Sequence, residues 1–194
     1  LSLAPVTSPR VRELIFPVGS GSSGRAEGDR GRHGLDWTAL RERLANRPRR
    51  IRVRPAELLA PAVSGAAVHL LPPPGPDELA LSAGWRATEA GTVHALALWF
   101  DLELAPDEWL SNDPAEAPQP WAQWLLPVDP PLSVAAGSAV DAEVRWDALP
   151  SGAPGWLGWR VTGAGQIRRG HEFGGLLLGP GELAGGGNTP GEDG

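Results

Sequence analysis

From Arg50 onward, apolar and polar residues alternate with a period of two. In RIRVRP, 50–55, Ile51 and Val53 fall on one face and arginines on the other, the mark of a half-covered strand. AVHLLP (67–72), ELALSAGWRAT (78–88) and TVHALALWFDLEL (92–104) read as further strands. In the last of these, Leu96, Leu98, Phe100, Leu102 and Leu104 share one face, and Ala95, Ala97, Trp99, Asp101 and Glu103 share the other. PPPGP closes the 67–72 strand as a hard turn. EAG, 89–91, is short enough to join its two neighbours as a hairpin. WAQWLLPV (121–128), ending ahead of a Pro-Pro turn, AVDAEVRWDAL (139–149) and GWRVTG (158–163) add three more. Strands that follow one another through short turns, with no helices between, predict a mainly β fold: an antiparallel β-barrel or sandwich.

Upstream the pattern changes. In LDWTALRERLANRP, 35–48, Leu35, Ala39, Leu40 and Leu44 recur at helical spacing, Asp36 is placed to cap and Pro48 to stop, so one short N-terminal helix is expected over 35–46. Residues 1–18 read as an extended lead-in with one short amphipathic piece. Gly19–Gly34 has the Gly, Ser and charge of a mobile loop. Its GSGSSG matches the dinucleotide fingerprint by accident: Phe16-Pro17-Val18 is a poor buried strand, and RAEGDRG cannot begin the helix that would cradle a pyrophosphate. The tail 179–194 has too little apolar surface to order itself. The layout is therefore a lead-in and loop over 1–34, a β domain over 35–178, and a disordered tail.

Composition narrows the chemistry. The 194-residue chain holds no cysteine and no methionine, and all 17 of its basic residues are arginine. A cysteine nucleophile, thiolate metal sites, disulfides and a Schiff-base lysine are excluded. A chain with no disulfide framework fits the cytoplasm, and no apolar run nears the ~20 residues of a membrane helix. Absence of an initiator methionine reads as a domain cut from a longer protein. Residues 1–54 carry 12 arginines against 5 acids, a net of +7, and the remainder 5 against 18, a net of −13. With only Phe16 and Trp37 as aromatics in the basic segment, nucleic acid is not the expected partner.

In order along the chain, HALALWFDLEL, the loop LSNDPAEAPQPW, and AQWLLPVDPPLSVAAGSAVDAEVRW resemble the C-terminal β-barrel domain of the protein arginine N-methyltransferase family, in a divergent, bacterial-type form. Phe100-Asp101, Ser111, Pro114, Glu116, Trp121, Gln123, Pro131-Leu132, Val134 and Gly137 occupy matching places, and the likeness extends over residues 33–163. HGLDWTALRERL resembles the family segment entering the barrel, and RPRRIRVRPAELL its first strand. The resemblance implies a parent protein that moves a methyl group from S-adenosylmethionine to a guanidino nitrogen of an arginine-containing protein or peptide. Cofactor and the paired glutamates would belong to an N-terminal Rossmann-like domain, the expected partner of this chain. Nothing in the sequence offers the strand, Gly-rich turn and acidic residue that nucleoside recognition needs, so the chain by itself is expected to be inactive and to bind no cofactor. The family's dimerisation arm would fall near 19–46, where the chain is short, which argues against a dimer.

The resemblance assigns the substrate-cleft loop to Glu116, Gln119, Pro120 and Trp121. The family's Thr-His-Trp is Gln119-Pro120-Trp121 here. Pro120 cannot transfer a proton, and the amide of Gln119 does not titrate. Trp121 is a cleft wall or a core residue, with equal claim, or both at once. Trp124, Trp146 and Trp159 are expected in the core, Trp85 and Trp99 toward a partner domain or solvent. Asp101 with Glu103, and Asp141 with Glu143, form i, i+2 carboxylate pairs; a solvated face is the expectation, an acidic groove the alternative. His33, His69, His94 and His171 lack metal-site spacing, and Ser111 lacks a His–Asp context. Two other function classes stay open: a non-catalytic binding barrel that lost the histidine, and a Trp-rich carbohydrate-binding sandwich.

Overall fold

A computed structural model of the chain describes residues 1–15, 38–65, 80–116, 120–147 and 156–173. Among them, a five-stranded sheet runs in the order β2 (Arg49–Ile51), β8 (Gln123–Val134), β5 (Gly91–Trp99), β1 (Ser2–Val6), β3 (Val63–Ser64). A four-stranded sheet runs β11 (Gln166–Phe173), β10 (Trp156–Gly163), β9 (Ala139–Asp147), β4 (Leu81–Arg86). A separate hairpin joins β6 (Asp101–Ala105) to β7 (Glu108–Ser111). Every named ladder is antiparallel. The two large sheets face each other as a sandwich, in line with the mainly β, antiparallel expectation.

The main core lies between the sheets. Leu3, Leu96, Leu126 and Leu132 point in from the first, and Ala83, Trp85, Val144, Trp159 and Val161 from the second. A second cluster covers the opposite face of the first sheet. There, Ala4, Val6, Ala95, Ala97, Trp99 and Leu125 pack under Val11 and Ile15 of α1 (Pro9–Ile15), with Leu44 and Ala45 of α2 (Thr38–Ala45) against them. β1 and β5 are thus covered on both faces, which is why SLAPV lacks alternation. The alanines on the helix side of β5 let α1 come close. Each fully covered leucine contributes about 2 kcal/mol from burial.

Several sequence expectations change. The lead-in 1–15 forms β1 and α1, so the chain has a second helix besides the one expected over 35–46. Ser8 starts α1: its hydroxyl accepts the Val11 N–H at 3.2 Å, ahead of Pro9 in the first turn. Asp36, Leu35, the GSGSSG loop, the 67–72 strand with His69, and the 179–194 tail lie outside the described residues. β4 and β5 are not a hairpin. β4 pairs with β9 and β5 with β1 and β8, so residues 87–90 carry the chain from one sheet to the other. Inter-sheet burial, rather than loop length, decides the pairing.

The strand expected over 92–104 breaks at Phe100. Its N–H goes to the Asn112 side-chain oxygen at 2.9 Å, and past it β6 pairs only with β7, leaving Leu104 exposed. β2 stops at Ile51 because Val53 gives its N–H to the Gln123 side chain instead of a strand. β8, in contrast, runs through Pro127, Pro130 and Pro131, where a turn was expected. Val93 pairs with Leu132 and Ala95 with Pro127, so His94 alone faces the bulged stretch 128–131. Prolines fit there because the ladder is already interrupted. The bulge is fastened to the second sheet: Trp159 Nε1 donates to the Pro127 carbonyl at 2.7 Å, and Arg168 Nε to that of Pro130 at 2.8 Å. β11 was not expected. It returns from β10 through Ala164 and Gly165, both with positive φ (49° and 71°), as a tight hairpin turn requires.

Trp159 is buried as expected. Trp85 and Trp99 are also buried, contrary to expectation, because both occupy core-facing strand positions; the Trp85 indole N–H bonds to the Pro61 carbonyl at 2.9 Å. Trp124 and Trp146, expected in the core, are partly exposed. Arg50 covers the Trp124 ring from 4.9 Å.

Candidate functional site

The described residues between β7 and the start of β8 share one cavity with the segment that follows β2. Between them lies a cavity of about 190 Å³. Its walls are Arg52–Pro55 on one side, Asn112–Pro114 and Glu116 on the other, with Trp121 and Gln123 closing the end. Trp121 is 48 % exposed and lines this cavity, so it is not a core residue. Glu116 and Trp121 both line this one cavity. Pro120 is exposed beside it, and Gln119 lies outside the described residues.

Two buried amides build the site. Gln123 sits at the start of β8, opposite Ile51. Its Oε1 accepts the Val53 N–H at 2.9 Å, and its Nε2 donates to the Asn112 carbonyl at 2.5 Å. Asn112 in turn accepts the Phe100 N–H and donates to the Ala122 carbonyl at 3.2 Å. Both walls are thereby tied to β8, and Trp121 is held immediately before this lock. Asp113 accepts the Ala115 N–H at 2.6 Å, an Asx turn that shapes the loop. Asp101 accepts from the Ser111 hydroxyl at 2.6 Å and the Ser2 hydroxyl at 3.1 Å. That gives Asp101 and Ser111 a structural role, tying β6 to β7 and to β1.

The other wall is anchored by Glu57, in the 3-10 turn Pro55–Glu57. Its carboxylate takes two bonds from Arg10 (Nε at 2.8 Å, Nη2 at 2.6 Å), one from the Ser8 hydroxyl at 2.8 Å and one from the Arg54 N–H at 2.9 Å. The paired guanidinium of Arg10 holds this carboxyl down at about 2 against the pull of burial, with the Arg54 N–H and Ser8 assisting. Arg10 also donates to the Arg52 carbonyl at 3.1 Å. His94 accepts the Ser8 N–H on Nδ1 at 3.0 Å, so its ring is neutral; burial, and next Arg12, lower its pKa.

A wider, shallower depression of about 340 Å³ crosses the outer face of the second sheet, over Ser82, Gly84, Asp141 and Glu143. Glu143 is paired there with Arg145 at 2.9 Å and Arg160 at 2.6 Å. An acidic groove is not what the geometry supplies; the carboxylates sit on a charge-balanced, solvated face. Among the described residues no three His, Asp or Glu side chains converge on a metal position. None of the described helices is long and apolar enough to cross a membrane. No parallel strand leads through a Gly-rich turn into a helix among the described residues either.

Sequence reasoning missed Ser8, Arg10, Glu57 and the Asn112–Gln123 lock. Two signals stood in the text: NDPA is an Asx-turn sequence, and Gln123 is a lone amide heading an apolar strand.

No family model matches the chain. A segment equal to 38 % of it, 73 residues long, is 38 % identical to the arginine N(omega)-methyltransferase of Streptomyces achromogenes subsp. streptozoticus, of which it spans 19 %. The fold is similar to that of the Trypanosoma brucei PRMT1 enzyme–prozyme heterotetrameric complex with AdoHcy, with a TM-score of 0.62 and 13 % identity, over 88 % of this chain and 55 % of that one. Arabidopsis thaliana protein arginine methyltransferase 10, solved in an open conformation, gives 0.56 and 12 %, over 88 % and 58 %. The chain therefore spans about a fifth of the curated relative and little more than half of each solved chain. The expected likeness to the C-terminal domain of protein arginine methyltransferases holds for the fold.

Proposed function

We propose that this chain is the substrate-side β domain of a bacterial-type, S-adenosylmethionine-dependent arginine methyltransferase-like protein, working beside a Rossmann-like domain that holds the methyl donor. The fold likeness and the Streptomyces relative support the class. The reaction places a methyl group on a guanidino nitrogen of arginine. A cysteine-free chain needs no oxidising compartment, which supports a cytoplasmic location.

One observation carries the reading: Trp121 stands half exposed at a cavity whose two walls are locked together by Gln123. A rigid indole face excludes water and positions a planar cation by stacking. Glu116 and Asp113 add carboxylates on the facing wall. Pro120 supplies no proton path, so the acid–base element of the family's histidine position is absent here or comes from elsewhere.

The test uses the full-length protein and a labelled methyl donor with arginine-bearing acceptors. Trp121→Ala lowers kcat/KM at least about tenfold while the melting temperature holds, since the ring is half exposed. A Trp121→Ala enzyme at full rate overturns the cleft-wall role. Absence of transfer to any acceptor leaves a non-catalytic binding domain.

A further inference from the structure

β6 and β7 form a sheet of their own. Neither is paired with a strand of the sandwich, and a lone two-stranded hairpin is at best marginally stable in water. This one still exposes its largest apolar side chains: Trp109 is 62 % exposed and Leu104 63 %. Its register puts apolar groups on both faces. Trp109 stands opposite Glu103 on one face, and Leu102 opposite Leu110 on the other. A hairpin lying on a surface needs one apolar face; two suit a hairpin enclosed by a partner.

The hairpin is stiff and firmly rooted. Pro106 sets the start of its turn, and Asp107 follows with a positive φ of 66°. At the root, Asp101 accepts from the Ser111 and Ser2 hydroxyls. Asn112, directly after β7, accepts the Phe100 N–H and donates to the Ala122 carbonyl, next to Trp121. The hairpin and the cavity therefore share one end of the first sheet, where β5 finishes and β8 begins. Its charge has one sign. No lysine or arginine lies between Arg86 and Arg145, and Glu103, Asp107 and Glu108 are all exposed. The surface that receives such a hairpin is apolar at its centre and basic at its rim.

We infer that the β6–β7 hairpin docks into the methyl-donor domain of the same polypeptide, burying Leu104 and Trp109 and holding that domain over the Trp121 cavity. This rests on the methyltransferase reading above. A donor domain can deliver a methyl group at the cavity only by covering this end of the sandwich, and the hairpin stands where that domain has to sit. Ser2 of β1 is bonded to the same root, so a segment joining β1 to a preceding domain passes beside the hairpin. No such requirement ties a second copy of the chain to this end.

The experiment uses the full-length protein with S-adenosylmethionine and reads hydrogen exchange over residues 101–111 by mass spectrometry, beside transfer of a labelled methyl group. Docked, these amides are expected to exchange about 100-fold more slowly than those of a hairpin open to solvent. Leu104→Ser combined with Trp109→Ser is expected to abolish that protection and to lower kcat about tenfold or more, because the two domains are misplaced. Donor affinity and exchange in β8 and β9 stay unchanged, since both side chains are exposed on the sandwich itself. Fast exchange of the hairpin in the full-length protein overturns the inference, and so does full transfer by the double variant. Protection that grows with protein concentration assigns the hairpin to a second copy and overturns it too. A protein that binds the donor and protects the hairpin but methylates no acceptor keeps the docking and ends the methyltransferase reading.

Discussion

Gln123 reaches 70 residues back along the chain to the N–H of Val53 and 11 residues back to the carbonyl of Asn112, using both ends of one buried amide. The two walls of the cavity are therefore one mechanical unit with β8. Replacing this side chain with leucine keeps its bulk but leaves a buried donor and a buried acceptor unpaired. Gln123→Leu is expected to lose about 3 kcal/mol in urea unfolding. Amide exchange at Val53 should accelerate well beyond that of the remaining core.

Glu57 gives the fold a defined acid sensitivity. Its carboxyl is held at about 2 by Arg10 when folded, against 4.5 as the ordinary value. A depressed carboxylate contributes stability that is complete above about 4.5 and drains as the pH falls toward 2. The contribution at neutral pH is on the order of 3 kcal/mol. Urea midpoints recorded from pH 7 down to pH 2.5 should decline through this window. In Glu57→Gln the neutral-pH stability is lower, and this part of the decline disappears.

His94 acts in a different pH window. Burial lowers its pKa from 6.5, and the Ser8 N–H needs its Nδ1 unprotonated. The unfolded chain therefore takes up a proton first as pH falls through 6.5, and stability contributed by neutral His94 is lost on that descent. Proton NMR of the imidazole should place its midpoint below 6.5. A midpoint above that value would contradict the buried acceptor geometry.

Gly170 on β11 faces the Trp159 ring. A Cβ built there would meet the indole at 2.2 Å, and Trp159 is buried and bonded to the Pro127 carbonyl. Gly170→Ala is expected to cost about 3 kcal/mol, with loss of near-ultraviolet dichroism from the displaced ring. The same change at Gly137 meets no atom within 4 Å but imposes a positive φ of 77°, so only its smaller backbone strain is felt.

What the sequence revealed followed the period-two pattern. Leu81, Ala83 and Trp85 alternate inward on β4, and the strands ahead of Ala139 and Gly158 were legible for the same reason. The pattern could not reveal which strands pair. EAG has hairpin length, but β4 and β5 lie in different sheets, because burial between layers outweighs the loop. Nor does alternation mark a strand covered on both faces: SLAPV reads as a lead-in until α1 lies over it. Trp121 and Glu116 were found through a loop motif. Arg54, Glu57 and Gln123 join them only through contacts that span the chain, and no local window contains those.

The first strand has a further consequence. Val6 pairs with Ala95, and Ser2 with Trp99, so β1 acquires its main partner only after about 90 further residues have been made. At synthesis rates of about 5–20 residues per second, that is a wait of roughly 5–20 s with an apolar, unpaired edge in solution. The central pairing of the sandwich therefore waits on chain made much later than β1 itself, and the interval is when a chaperone has most to do.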